Sequence, residues 1–294
     1  MKKFWGSAAM ITATVLWGVA FSAQSTGVRF VEPMLFTALR SMIGFIALIP
    51  VIMILDLVKL KRVTLWGNAG TSQERRELLW GGFWCGVVIT AASICQQYGL
   101  KYTSAGKTGF LTALYIVIVP VLGLFFKRKS SRILWLAVAL ALFGSWLLCG
   151  SIGAIGKGEI FVIVCAFIYS IHIMVIDHYA ARCDCVRLSA IQFALATALA
   201  ALASLTGGDP WVKDTIVSAA PYWIFCGVGS SAIAFTLQMV AQKYLHPVTA
   251  TLLMSLESVF AVLGGWLFLN ETLSPRELAG CAVIFISVIA AQKK

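Results

Sequence analysis

Apolar runs of about 20 residues recur along the whole chain, and short polar segments separate them. A run of this length can cross a lipid bilayer as one α-helix. The runs are continuously apolar and do not alternate with polar positions, which favours helices over barrel strands. The predicted spans are Phe4–Ala23, Met34–Leu55, Leu78–Leu100, Ala105–Phe126, Ile133–Cys149, Glu159–Ile176, Leu188–Leu205, Pro221–Ala241, Pro247–Leu269 and Pro275–Ala291. The pattern therefore predicts an all-α membrane protein with ten transmembrane helices.

One segment of the chain occurs twice. Gln96–Gly123 and Gln238–Gly265 align without a gap at a spacing of 142 residues. The shared positions include Gln96, Lys101, Tyr102, Leu111, Val117 and Gly123, which return as Gln238, Lys243, Tyr244, Leu253, Val259 and Gly265. Both copies lie inside apolar runs, which indicates a duplicated bundle of membrane helices.

The duplication extends to the rest of the chain at a second spacing. Trp17 aligns with Tyr169, and Arg40 aligns with Gln192, at a spacing of 152 residues. The long polar segment Asp56–Glu77 accounts for the difference. We therefore predict two five-helix repeats, residues 1–150 and 151–294. Because five is odd, the second repeat must be inverted in the membrane, as in many secondary transporters whose site lies between the repeats.

The composition fits a membrane protein, since 60% of the residues are hydrophobic and only 12% are charged. The net charge is +11, but its distribution argues against a nucleic-acid partner. Most Lys and Arg residues fall in the segments on the side of the N-terminus, whereas the other side carries only Arg29, Lys101, Lys157, Lys213 and Arg276. This bias predicts a multi-pass protein of the cell membrane with both termini in the cytoplasm. The lipid bilayer is an expected partner, and a homodimer is left open.

The eight cysteines give no strong signal for a metal or a cofactor. Six fall in or beside apolar spans, where cysteine usually packs as a small apolar residue. Cys183 and Cys185 form a C-x-C pair near His178, which is a weak metal signal in a loop on the reducing side. The sequence has no phosphate-binding loop, which disfavours a pump driven by ATP. We predict no metal, no cofactor and no catalytic residue.

Few ionisable side chains lie within the predicted spans, where a charge costs about 2.5–3.5 kcal/mol on insertion scales, and four of them are candidates. They are Arg40 in span two, Lys107 in span four, His172 in span six and Glu257 in span nine. Such groups usually face the interior of a bundle. All four are therefore candidates for substrate binding or coupling.

Each of the four also has a structural alternative. Glu257 could bind a proton or a cationic substrate, or it could form a permanent ion pair with Arg40 or Lys107. Arg40 could hold a carboxylate or phosphate bidentately, or cap backbone carbonyls. Lys107 could extend to the outer surface instead of the cavity. His172 could relay protons, or be a buried neutral histidine bonded to a neighbour.

Amide and aromatic side chains supply further candidates. Gln96 and Gln238 are repeat partners that could hydrogen-bond a polar substrate from both sides, although amides also join helices. Trp17, Tyr115 and Tyr169 could line an amphipathic site, and Tyr115 is the repeat partner of Glu257. Packing within the bundle is the alternative for each.

Several motifs together resemble the EamA-type transporters of the drug/metabolite transporter superfamily. They are LWGVAF and ALR in the first two spans, LKYTSAGKTGFLTALYIVIVP across spans three and four, KGEIFVIVCAFIYSI in span six, and SLESVFAVLGGWLFLNETLS across spans nine and ten. The resemblance implies ten helices in two inverted repeats and the export or exchange of small metabolites. The chain departs from the commoner pattern at Lys107, at Lys127-Arg128-Lys129 and at Ser258.

The leading interpretation is a secondary transporter for a small polar or amphipathic metabolite, such as an amino acid. It would work by alternating access, with proton coupling as an option at Glu257. The alternative is a membrane-embedded enzyme that acts on a lipid-linked substrate, with His172, Asp177 and His178 as its imagined site. Asp177 is five residues from His172 and so lies off that helical face, which weighs against the alternative.

Overall fold

A computed structural model describes residues 2–125, 131–149, 155–269 and 274–292. Within these ranges the chain is helical and contains no strand, which confirms the predicted all-α class. The α-helices are α1 (Lys2–Gly27), α2 (Pro33–Leu60), α3 (Ser72–Tyr102), α4 (Ala105–Thr112), α5 (Tyr115–Phe125), α6 (Arg132–Cys149), α7 (Lys157–Ala180), α8 (Cys185–Gly207), α9 (Lys213–Ser218), α10 (Ala220–Phe225), α11 (Phe235–Gln242), α12 (Pro247–Met254), α13 (Leu256–Leu269) and α14 (Pro275–Gln292). A π-helix, Cys226–Ala234, joins α10 to α11.

Eight helical segments in the described part of the chain are long and apolar enough to cross a membrane. They match the predicted spans one to four and six to nine. A shorter apolar helix, α6, and the terminal helix α14 occupy the places of predicted spans five and ten. The end of predicted span four at Phe126 and the segments Lys127-Arg128-Lys129 and Asn270-Glu271 lie outside the described residues.

The helices pack in pairs that bring the two halves of the chain together. Extensive contacts join α1 to α13, α2 to α8, α3 to both α7 and α8, and α6 to α14. Glycines permit the closest approaches, because an added Cβ at Gly18 would lie 2.4 Å from the side chain of Phe260, and one at Gly82 would lie 2.3 Å from that of Ile191. Gly82 and Gly86, which are four residues apart, therefore lie where α3 packs against α8.

Two of the spans are broken at equivalent places. The regular α-helical hydrogen bonding is interrupted at Ala113 and Leu114 in the span Ala105–Phe125, and at Ser255 in the span that begins at Pro247. The backbone of Ala113 and Ser255 stays in the right-handed helical region. Ala113 and Ser255 are 142 residues apart, which is the spacing of the repeat. Pro120, which could be expected to kink the first of these spans, lies inside α5 and has no equivalent in the second half. The break is thus a shared feature of the two spans rather than an effect of this proline.

The π-helix distinguishes the eighth predicted span from its repeat partner α3, which is a regular α-helix. A π-helix is rare and often occurs at functional sites. Its Gly227 packs against α2, where an added Cβ would lie 2.6 Å from Ile43 and 2.8 Å from the carbonyl oxygen of Arg40. The π-helix therefore lies directly beside the part of α2 that carries Arg40.

The loops 61–71, 181–184 and 243–246 lie together at one end of the bundle, which we call the basic end. There the guanidinium of Arg187 donates to both carboxylate oxygens of Asp56 at 2.7 Å, to Asp184 at 3.1 Å and to the carbonyl oxygens of Thr64 and Leu65. Arg187 and Asp56 are almost fully buried. This cluster ties α2 and the loop that follows it to the start of α8.

The opposite end is joined by smaller contacts. Glu32 pairs with Lys101 at 2.6 Å on the surface, and the Asp209 carboxylate accepts from the backbone N–H of Leu35 at 3.2 Å. Glu159 accepts from the hydroxyl of Thr103 at 2.7 Å. The two ends therefore enclose the middle of the bundle, where the candidate site lies.

Candidate functional site

A small cavity lies in the middle of the bundle, between the two halves of the chain. Its lining residues are Trp17, Gln24, Arg40, Gln96, Thr112, Tyr115, Tyr169, Ser230, Phe235, Gln238, Met254 and Glu257. They come from every predicted span except five, seven and ten. The cavity volume is about 20 Å³, which is room for roughly one water molecule. The structure therefore holds this site in a contracted form that would have to widen to admit a metabolite.

Arg40 is the buried cation of this cavity. Only 2% of the residue is exposed, and its Nη1 donates to the amide oxygen of Gln24 on α1. Its Nε has no hydrogen-bond partner, and no carboxylate among the described residues pairs with its guanidinium. A buried charge that lacks an opposite charge is costly. The guanidinium of Arg40 is thus a buried cation without an opposite charge among the described residues.

Glu257 is the buried carboxyl of the same cavity, at the start of α13 just after the helix break. It accepts a hydrogen bond of 3.3 Å from the hydroxyl of Tyr115, which follows the equivalent break in the first half. The two residues are repeat partners, so the bond joins equivalent positions across the two halves. The alternative ion pairs of Glu257 with Arg40 or Lys107 are not formed in this structure.

Of the two aromatic–amide pairs that the repeat predicts, one is joined by a hydrogen bond and the other is not. The hydroxyl of Tyr169 donates to the amide oxygen of Gln96 at 3.4 Å. Their repeat partners are Trp17 and Gln238, yet the indole N–H of Trp17 and the amide oxygen of Gln238 have no partner among the described residues. The hydroxyl of Thr112 is also unpartnered. These three atoms and the Nε of Arg40 are therefore available to a ligand.

Lys107 and His172 do not line the cavity. Lys107 lies in the first turn of α4, where its ammonium is 3.7 Å from Glu159 near the opposite end of the bundle. His172 is fully buried behind Phe235, and its Nε2 lies 2.8 Å from the amide oxygen of Gln192. Both residues thus occupy the structural positions that were the alternatives to a role at the site.

Several lining residues were not among the candidates from the sequence. Thr112 and Met254 are repeat partners, and each lies three residues before a candidate, Tyr115 or Glu257. The repeat spacing could have identified them. Ser230 belongs to the π-helix, and Phe235 packs edge-to-face on Trp17 with ring centroids 4.9 Å apart. Ser230 had no signal in the sequence, because the π-helix has no counterpart in the first half, and Phe235 begins α11 directly after it.

The residues imagined for an enzyme or a metal site do not converge. His178 contacts Arg182 and the ring of Tyr179 at the basic end, away from His172. Burial raises the pKa of the Cys183 thiol to about 11, so it is protonated at neutral pH. The described residues contain no cluster of His, Cys, Asp and Glu that could hold a metal ion.

A comparison with protein families identifies the group to which this architecture belongs. The model of the EamA-like transporter family matches the chain twice, over residues 4–150 and 156–291. The chain belongs to the EamA-like transporter family. The resemblance drawn from the sequence motifs is thereby confirmed, and with the apolar helices it makes the chain a multi-pass membrane protein of this family.

Two curated relatives are similar to the chain over most of their own length. An uncharacterized transporter of Archaeoglobus fulgidus is 25% identical over 296 residues, which cover 98% of this chain and 86% of the relative. The uncharacterized transporter YoaV of Bacillus subtilis is 22% identical, with 94% of this chain and 92% of the relative covered. Both names describe membrane transport and specify no substrate.

A solved crystal structure shares the fold of this EamA-family chain. It superposes with a TM-score of 0.74 and 20% sequence identity, and the match covers 98% of this chain and 96% of that chain. At this identity the likeness concerns the fold alone. The helical arrangement around the central cavity is therefore one that is also found in a crystal structure.

Proposed function

We propose that the protein is a secondary transporter that exports or exchanges a small polar or amphipathic metabolite, such as an amino acid. The observation that carries the proposal is the central cavity, which holds a buried cation, a buried carboxyl and four unpartnered polar atoms. Membership of the EamA-like transporter family and the transporter relatives support transport as the general activity.

The chemistry of the lining favours a substrate that carries both charges. Arg40 offers an unpaired guanidinium, and Glu257 offers a carboxyl that is held only by Tyr115. A carboxylate bound to Arg40 and an ammonium bound near Glu257 would satisfy both groups. Trp17 and Phe235 add apolar surface for a side chain, with a donor at the indole nitrogen.

We further propose that the chain consists of two inverted five-helix repeats, residues 1–150 and 151–294, which rock about the cavity. The two matches of the family model support this division. The pairing of α2 with α8 and of α6 with α14 joins equivalent helices, as expected for elements beside a pseudo-two-fold axis. Helix breaks beside a site at the repeat interface are typical of alternating-access transporters.

Glu257 is the proposed coupling residue. In a buried apolar setting a carboxyl takes up a proton when no cation is near, and it can release the proton when a cationic group arrives. The nearby hydroxyl of Tyr115 can donate to the ionised form of Glu257 and can accept from its protonated form. One site could therefore bind a proton and a substrate ammonium alternately.

The test is exchange of a panel of radiolabelled amino acids in proteoliposomes, with and without a pH gradient. Glu257→Gln keeps the shape and removes titration. If Glu257 couples protons, this variant should exchange amino acids at equal pH and lose accumulation driven by the gradient. If Glu257 holds the substrate ammonium directly, exchange should fail as well.

Asp214→Asn is the matched control, because Asp214 is an exposed carboxylate on α9 outside the cavity. It should leave both measurements unchanged. A stable Glu257→Gln protein with normal exchange and a normal response to the gradient would remove Glu257 from the proposed mechanism. Absence of amino-acid exchange in the native protein would remove the proposed substrate.

The proposed orientation places the basic end and both termini in the cytoplasm of a cell-membrane protein. The excess of Lys and Arg at this end supports it. In a background without cysteine, Arg62→Cys lies in a loop of the basic end, and Lys213→Cys lies at the start of α9 at the opposite end. Membrane-impermeant thiol reagents added to intact cells should label the second variant and leave the first unlabelled. Labelling of the Arg62→Cys variant alone would show that the protein has the opposite orientation in the membrane.

A further inference from the structure

Two adjoining cavities lie outside the central site, on the lipid-facing surface of the basic end. The first, of about 590 Å³, is polar and is lined by residues of α3 and α7 and the start of the following loop. The second, of about 870 Å³, is an apolar groove between α3 and α8. Ser72, Arg76 and Trp80 line both cavities, so the two adjoin along one stripe of α3, and we refer to them together as the depression.

The polar part is basic. Arg75, Arg76 and Arg182 line the two cavities, and Glu77 is the one acid in their lining. Arg75 is held by the carbonyl oxygen of Ala69 at 3.2 Å. Arg76 has neither a hydrogen bond nor an ion pair with any residue that the structure describes, so its whole guanidinium is open to an anion.

The apolar part has the form of a slot for a hydrocarbon chain. Leu79, Trp80 and Phe83 form one wall, and each is nearly half exposed. Ile191, Ala194, Leu195 and Ala198 of α8 form the other wall. The close approach at Gly82 brings α8 against α3 and creates the floor, since any side chain at this position would collide with Ile191.

We propose that this depression binds one anionic phospholipid, with the phosphate at Arg76 and Arg182 and an acyl chain along the α3–α8 groove. An arginine fork suits a phosphate. Basic pockets between membrane helices on the cytoplasmic side are a known chemistry for anionic headgroups. A phospholipid of that leaflet presents its charged headgroup and its acyl chain in the same order as the arginines and the apolar slot. A soluble phosphate would match only the arginines, and an apolar protein helix would match only the slot.

The proposal can be tested through Trp80, which lines both cavities. Phospholipids with brominated acyl chains quench tryptophan fluorescence on contact. The protein is placed in phosphatidylcholine bilayers that contain a minor share of brominated phosphatidylglycerol or, separately, of brominated phosphatidylcholine. The difference between native protein and Trp80→Phe isolates the signal of Trp80 from that of the other tryptophans.

Native protein should show stronger quenching of Trp80 by the anionic lipid than by the neutral lipid with the same chains. Arg76→Ala should reduce this preference about five-fold, the effect of one arginine near an anionic headgroup. Arg62→Ala is the matched control, because Arg62 is an exposed arginine of the same end that does not line the depression. Ala198→Phe should reduce the quenching by filling the slot.

Three outcomes would overturn the proposal. Equal quenching of Trp80 by the two lipids would mean that the groove is ordinary lipid-facing surface. Displacement of the anionic lipid by millimolar glycerol 3-phosphate would indicate a site for the headgroup alone. A disulfide-linked dimer formed through Phe83→Cys in a cysteine-free background would show that a second copy of the chain covers the groove. Because native lipid preference is measured without transport, the result does not depend on the proposed function.

Discussion

The two halves of the chain supply aligned residues to the middle of the bundle, yet the aligned pairs that contain Tyr169 and Gln96 differ in their hydrogen bonds. Tyr169 of the second half bonds Gln96 of the first, whereas their partners Trp17 and Gln238 keep an unpartnered donor and acceptor. The crossed pair that would mirror the first is therefore absent, and its two groups remain for a ligand.

Arg40 and its aligned partner Gln192 show the same contrast. Gln192 lies on α8 outside the cavity and bonds His172, so its amide oxygen is satisfied within the protein. Arg40 lies on α2 beside the π-helix, lines the cavity and has no carboxylate partner. The duplication thus sets the positions, and the differences between the copies decide which polar groups of the cavity are bonded within the described part of the protein.

The largest effect on amino-acid affinity is expected when Arg40 is changed to glutamine, the residue at the aligned position 192. Arg40→Gln should weaken amino-acid binding about ten- to a hundred-fold, because it removes a hydrogen bond to a charged group worth about 1.5–3 kcal/mol. Apparent affinity in the exchange assay is the measurement. Arg29→Gln, at an exposed loop position, is the control. Unchanged affinity in Arg40→Gln would place the anionic group of the substrate elsewhere.

Smaller effects on affinity and stability should distinguish the hydrogen-bonded pair, Tyr169 and Gln96, from the unbonded pair, Trp17 and Gln238. Trp17→Phe removes a donor that has no protein partner, so amino-acid affinity should fall about two- to ten-fold while thermal stability stays nearly constant. Tyr169→Phe removes a donor that Gln96 uses, so it should cost about 1 kcal/mol of stability with less effect on affinity. Equal behaviour of the two variants in both measurements would contradict the contrast between the pairs.

The pair of His172 and Gln192 should affect stability without affecting transport. Gln192→Leu leaves a buried ring nitrogen without a partner, at a cost of about 1–3 kcal/mol. The double variant His172→Phe, Gln192→Leu should recover most of that loss, since both polar groups are removed together. Thermal unfolding in detergent measures both. A changed pH dependence of exchange in either variant would restore the proton-relay interpretation of His172.

Lys107 should give the smallest effect. Lys107→Gln removes a partly exposed pair with Glu159, and such pairs contribute about 0–1 kcal/mol. We expect unchanged amino-acid affinity and a shift in stability near the limit of detection. A clear loss of affinity would mean that Lys107 reaches the substrate when the cavity opens towards that end.

The sequence predicted the class of fold and much of the central cavity. Apolar run length sets the helices, and the repeat spacing identified Tyr115 and Glu257 as equivalent positions, which the structure joins by a hydrogen bond. Seven of the nine candidate residues line the cavity. The helical period could not decide between lining and packing for His172, since that depends on which neighbour covers its face.

Other features had no reliable signal in the sequence. The helix breaks at Ala113 and Ser255 lack a proline or glycine of their own, and the proline that is present lies elsewhere. The predicted span four begins at Ala105, as α4 does, and so already placed Lys107 in the first turn. The sequence could not show that this turn lies beside Glu159, because that contact depends on how two separate helices pack.

The small volume of the central cavity bears on whether protons or metal cations can leak through the protein. Space for about one water molecule cannot contain a continuous file of water from one face of the membrane to the other. The unpaired positive charge of Arg40 within that constriction also repels protons and metal cations that approach it. We therefore expect this conformation to pass neither protons nor metal cations through the central cavity.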